Sequence, residues 1–245
     1  MTEEENNKTG RTVNEHTLCF QGLRDPEEQL RILKEYFPHL QFDMNLVYDL
    51  ELPLGAEEFL LLPDPMKLWD GCTDYDYYPD SVKVIMDILR KVQSKKLCMS
   101  SGHMLDPKDL ERGAGILAFY EKMRDTQTGD IFMVPVKIFG YSEMSAQAAM
   151  DAIERSEVSE IGFGAYEYLI AYLTHMNHPP FLDSTVRANC LGDSVYGRKR
   201  SDDLVPSITF REKDFGLKSR EKSTYDGTIV NFTIIETDIP EEIRE

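Results

Sequence analysis

The chain has 245 residues, 41% hydrophobic and 29% charged, an ordinary globular balance. Its 44 Asp and Glu outnumber 27 Lys and Arg, for a formal net charge of −17. Such a surface repels phosphate backbones and anionic bilayers, which argues against direct nucleic-acid binding and against membrane docking.

The four cysteines, Cys19, Cys72, Cys98 and Cys190, form no CxxC pair and read as free thiols in a reducing compartment. The polar, acidic start MTEEENNKTGRT is unlike a signal peptide, and apolar runs fall short of the ~20 residues that span a bilayer. Together these point to a cytoplasmic protein. Residues 1–15 lack apolar periodicity and are expected to be a disordered tail.

In chain order, the first predicted helix runs from Pro26 to Phe37. Asp25 is its N-cap, Pro26 suits the first helical position, and Pro38 stops it. FDMNLVYDLEL (42–52) and EEFLLLP (57–63) read as strands flanking a turn at Pro53–Gly55. DPMKLWDGCTDYDYYPD (64–80) reads as an irregular exposed loop. Ser81–Lys95 carries an apolar helical stripe. After a connection at Cys98–His103, Asp106 is expected to cap another long helix, with Pro107 in its first turn and Leu110, Ala114, Leu117 and Tyr120 inward. IFMVPVKIF (131–139) is the strongest strand, and Pro135 inside it implies an edge or a bulge. Helices follow at Ser142–Ser156 and Gly164–Leu173. The latter turns Tyr166, Leu169, Ile170 and Leu173 inward. Beyond Pro180 the pattern changes to strands: VPSITF, DFGLKS and TIVNFTII. Helices and strands do not alternate regularly. The expected fold is therefore α+β, a mixed or antiparallel sheet with about five helices packed on it, in one domain over residues 16–245.

Five stretches carry residues that invite a chemical reading. From Phe42 to Asp80 there are ten acids and one base, Lys67. Within this run Trp69, Asp70, Asp74, Tyr75, Asp76, Tyr77 and Asp80 mix rigid aromatic anchors with carboxylates that steer a basic partner. The run lacks the glycine and glutamate spacing of an EF-hand. THMNHPP places His175 and His178 at a helix end, with Asp183, Cys190 and Asp193 following, all acceptable zinc ligands. No HExxH or paired-cysteine spacing accompanies them. IGFGAYE (161–167) has two glycines opening a helix, but Glu167 stands where a dinucleotide fingerprint has its third glycine. SSGH (100–103) lacks the G-x-S-x-G elbow of a hydrolase. Val195–Lys222 carries eight bases and five acids, a contrast with the acidic run.

EIGFGAYEYLIAYLTH (160–175), NCLGDSVY (189–196) and VPSITF (205–210) resemble an uncharacterised bacterial and phage protein group. That group joins a Gly-x-Gly-Ala helix ending in Leu-Thr-His to a Cys-x-Gly-Asp segment. Leu173, Thr174, His175, Cys190, Gly192 and Asp193 match it; Asn189 replaces an Asp. The group has no assigned activity, so the resemblance implies no mechanism; it brings His175, Cys190 and Asp193 forward as site residues.

The expected function is a non-enzymatic protein that engages a basic protein partner through the 69–80 residues, in one version as an inhibitor whose carboxylates imitate nucleic acid. No cofactor is expected. One alternative is a metal-assisted hydrolase centred on 175–193. Another is a self-assembling structural component, a homo-oligomer whose acidic and basic loops meet across subunits.

Overall fold

The computed structural model describes residues 22–47, 51–68, 77–92, 105–138, 140–176, 187–196, 203–211, 214–224 and 229–236. The fold is α+β. Among the described residues there are five α-helices: α1 Pro26–Tyr36, α2 Tyr77–Val92, α3 Ala114–Thr126, α4 Ala146–Glu154 and α5 Ala165–His175. Ten strands among the described residues form three sheets. The first contains β1 (Glu58–Pro63), β3 (Ile131–Lys137), β4 (Glu160–Gly162) and β10 (Thr233–Ile235), in the antiparallel order β1-β3-β10-β4. The second pairs β2 (Leu110–Arg112) with β6 (Asp193–Val195). The third is mixed, in the order β8-β7-β5-β9, from β5 (Arg187–Asn189), β7 (Leu204–Arg211), β8 (Asp214–Glu221) and β9 (Ile229–Val230). One buried apolar cluster runs from Leu33 through Ile234 and joins the helices to the sheets. No helix among the described residues is long and apolar enough to cross a membrane.

Local chemistry explains α1. The Asp25 side chain accepts from the Glu28 N–H at 2.8 Å, and Pro26 occupies the first turn. The strand expected from Phe42 is instead a short 3₁₀ turn at Met44–Val47. Asp43 accepts from both the backbone N–H (3.0 Å) and the side-chain amide (2.9 Å) of Asn45, a local alternative to a strand ladder. The turn at Pro53–Gly55 is present, with Gly55 at φ +88° and Ala56 N–H donating to the Pro53 carbonyl.

The helix expected from Asp106 is the largest correction. Asp106 caps only a 3₁₀ turn, Pro107–Asp109; β2 follows, and α3 begins after Gly113. Pairing of Leu110 with Val195 and of Arg112 with Asp193 holds the chain extended here. Leu117, expected inward, is 40% exposed. The next helix is capped by Ser145 rather than Ser142: Ser145 Oγ accepts from Ala148 N–H, and α4 ends at Glu154. TIVNFTII is split, with β9 in the third sheet and β10 inside the first. The connection at 98–103 and the tail lie outside the described residues.

Pro135 lies in an interior strand, not an edge strand. It is tolerated because the β10 ladder reaches only Val136. Peptide groups alternate direction along a strand, so position 135 points the same way as Met133, away from β1. At Met133 that side is closed by a glutamine. Gln127 Nε2 donates to the Met133 carbonyl (2.8 Å), and its Oε1 accepts from the Met133 N–H (2.9 Å). A second glutamine does the same work on the outer edge of β1. Buried Gln29 on α1 accepts from Leu61 N–H (2.9 Å) and donates to the Phe59 carbonyl (2.9 Å). A primary amide carries the donor and acceptor of a peptide group, so each side chain stands in for a strand residue.

Candidate functional site

Among the described residues, three buried charged side chains and two buried phenols meet at the N-terminus of α5. α2 delivers Tyr78, β2 Arg112, α3 Tyr120, α5 Glu167 and β6 Asp193. The Glu167 side chain has 0% and the Arg112 side chain 3% of its surface exposed, and Asp193 as a residue 7%. Two glycines bring these elements together. Gly113 N–H donates to the Gly192 carbonyl (2.8 Å), and Gly192 N–H donates to the Phe163 carbonyl (2.9 Å). A Cβ on Gly192 would sit 2.3 Å from the Gly162 oxygen, so only glycine lets the 190–193 turn lie against the chain entering α5.

The Arg112 guanidinium lies between two phenol rings, 4.3 Å from the Tyr78 centroid and 4.2 Å from the Tyr120 centroid. Its Nη2 donates to Glu167 Oε1 at 3.1 Å, and Tyr120 Oη donates to the same oxygen at 2.8 Å. Glu167 Oε2 reaches back to Gly164 N–H at 2.9 Å. Asp193 accepts from Ala165 N–H (2.6 Å) and from Tyr78 Oη, which lies 2.7 and 2.6 Å from its two oxygens. The first amides of α5, which a phosphate would otherwise seek, are thus taken by two carboxylates of the same chain.

One guanidinium faces two carboxyls, and the imbalance falls on Asp193. Burial raises its pKa from 3.8 to about 7, and the charge of Glu167 adds to the rise. The Ala165 amide, the Tyr78 hydroxyl and Arg112 pull the other way. The cluster therefore holds one exchangeable proton near neutrality. Burial also pushes the phenols of Tyr78, Tyr120 and Tyr166 well up, which keeps them neutral hydrogen-bond donors. The cluster can store a proton and lock five elements together.

The residues expected to form a metal site are partly gathered and otherwise engaged. His175 is buried. Its Nε2 accepts from Arg24 N–H (2.8 Å), so Nδ1 carries the proton and points at the Ala171 carbonyl 2.7 Å away. Cys190 is buried and free; burial, with Asp193 and Glu167 adding, pushes its thiol well up and disfavours the thiolate a metal needs. Asp193 belongs to the cluster just described. His178 and Asp183 lie outside the described residues. No group of three or more His, Cys, Asp and Glu among the described residues is placed to hold a metal ion.

Of the partner-binding residues, Trp69, Asp70, Asp74, Tyr75 and Asp76 lie outside the described residues. Tyr77 opens α2, and Asp80 is exposed in its first turn. Leu68, just before this segment, is 3% exposed, and Tyr78, inside its C-terminal end, is 5% exposed and bonded to Asp193. Sequence reading missed Tyr78, Arg112, Tyr120 and Glu167. Only Glu167 carried a local signal: an acid three residues after an N-cap, the second half of a capping box.

No family model, no curated protein and no solved structure matches this chain.

Proposed function

We propose that this chain is a non-enzymatic interaction protein that presents the acidic, aromatic segment 69–80 to a basic protein partner. One observation carries the reading: the segment is rooted in the core just before its start and again near its end. Leu68 is buried, and Tyr78 is buried and tied to Asp193. Anchored ends reduce the entropy lost when such a segment binds. The carboxylate excess supplies steering toward a cationic surface. The charged cluster at α5 supports the same reading, because its groups are enclosed and spent on one another, as a keystone's would be.

The test uses a lysine- and arginine-rich peptide on a biosensor. Wild-type binding should fall steeply as the screening length shrinks from about 10 Å at 0.1 M salt to about 3 Å at 1 M. Replacing Asp70, Asp74, Asp76 and Asp80 with Asn should abolish it. A charge-matched control, replacing exposed Glu27, Glu121 and Glu154 with Gln and Asp125 with Asn, should retain it. Equal loss in both variants would reduce the effect to net charge and overturn the assignment. Salt-sensitive association of the chain with itself, read by light scattering, would favour self-assembly instead.

A further inference from the structure

A cavity of about 440 Å³ lies between α3 and the first sheet, beside Asn45, Leu46, Glu51 and Pro53. Its volume is within the roughly 300–1,000 Å³ of small-molecule sites. Strand alternation aims Phe59, Met133, Pro135 and Ile235 to one side of the sheet, and Phe119 and Met123 face them from α3. Phe119 is 1% and Ile235 2% exposed at the deep side of this wall, while Phe59 and Pro135 are half-buried. Two thioethers and two phenyl rings make that wall adaptable and suited to a flat apolar body. Of the polar lining, Gln127 is spent on the Met133 backbone, Asn45 and Glu51 are exposed, and Glu236 and Lys122 are half-buried. Two carboxylates against one ammonium give this rim a negative balance.

We propose that this cavity binds a small apolar, ring-bearing molecule with a cationic end, the ring against the Phe119–Met133 wall and the cation at Glu51 and Glu236. None of its lining residues belongs to segment 69–80, and its test is independent of the function proposed above. The body is selected by enclosure, which removes apolar surface from water. The head is selected by charge, and an exposed rim makes that selection modest.

The experiment uses two probes that share a body and differ in the head, 4-phenylbutylammonium and 4-phenylbutyrate, titrated by calorimetry and by methionine-methyl NMR. The ammonium probe should bind saturably and several-fold more tightly than the carboxylate, moving the Met123 and Met133 methyl signals. Glu51→Gln with Glu236→Gln should bring the two probes to similar affinity. Asn45→Trp, at an exposed position that leaves the core untouched, should block the mouth and remove saturable binding. No saturable binding of either probe to wild type, or binding unaltered in Asn45→Trp, overturns the site. Preference for the carboxylate overturns the cationic assignment.

Discussion

Replacing Asp193 with Asn should change how stability depends on pH more than it changes stability at any one pH. The carboxyl sits near 3.8 when exposed in the unfolded chain and near 7 when folded, because burial and then Glu167 oppose its charge. Between these values the folded state holds a proton the unfolded state has released. This group's contribution is thus fully present below about pH 4 and falls by ~1.4 kcal/mol per pH unit until about pH 7, where it levels off. The total is ~4 kcal/mol, a large share of the 5–15 kcal/mol of an ordinary domain. The side chain introduced by Asp193→Asn still accepts from Ala165 N–H but offers the site an amide in place of a titrating acid, so the variant lacks this slope. Urea unfolding at several pH values between about 4.5 and 8 measures it: the wild-type and variant stabilities should converge, or cross, as pH rises. Parallel curves, with one constant difference across the range, would refute the assignment of a raised acid to this position.

Glu160 predicts the opposite limb. Its side chain has no exposed surface. Burial alone would raise it, but Thr233, Ser156, Tyr141 and Lys137 all donate to it and hold it below its ordinary value. Its contribution is present above pH ~4.5 and lost as pH falls through the lowered value, so Glu160→Gln should flatten the acid side of the stability profile. Gln29→Met keeps the volume but orphans Leu61 N–H and the Phe59 carbonyl; a loss of ~3 kcal/mol is expected by denaturant titration, and a loss under ~1 would disprove the capping role. Two glycines should behave in contrary ways. Gly192→Ala drives a methyl into the Gly162 backbone oxygen and should abolish or severely weaken folding. Gly115→Ala within α3, where the nearest atom, on Ile161, would be 3.6 Å away, should raise stability by ~0.5–1 kcal/mol in thermal melts.

The parts of the fold legible in the sequence are those whose causes are local. Asp25-Pro26 begins a helix by capping and a fixed φ, and the β-branched 131–137 run forms a strand as expected. The illegible parts depend on partners far away. β2 and β6 are three residues each, too short for any periodicity, and exist because they pair with each other. The Asp106-Pro107 signal is real but opens a single turn, since the pairing of Leu110 overrides helix propensity. Asp193 reads as a metal ligand in the sequence, yet the hydrogen bond that defines it comes from a tyrosine 115 residues earlier in the chain. Arg112 gives no hint at all: its environment is two phenols and a carboxylate supplied by other elements.

The two glutamines that close the first sheet bear on how the protein behaves when crowded. A strand edge with open peptide groups is a template onto which another copy can grow. At the middle of β1, Gln29 occupies the positions an incoming strand would need, and Gln127 does so beside Met133. Both work like chain terminators in a polymerisation, filling the growing end with a unit that has no second end. An incoming strand would first have to expel an amide that already has its bonds, and that raises the barrier to sheet-by-sheet aggregation without spending any charge on the surface.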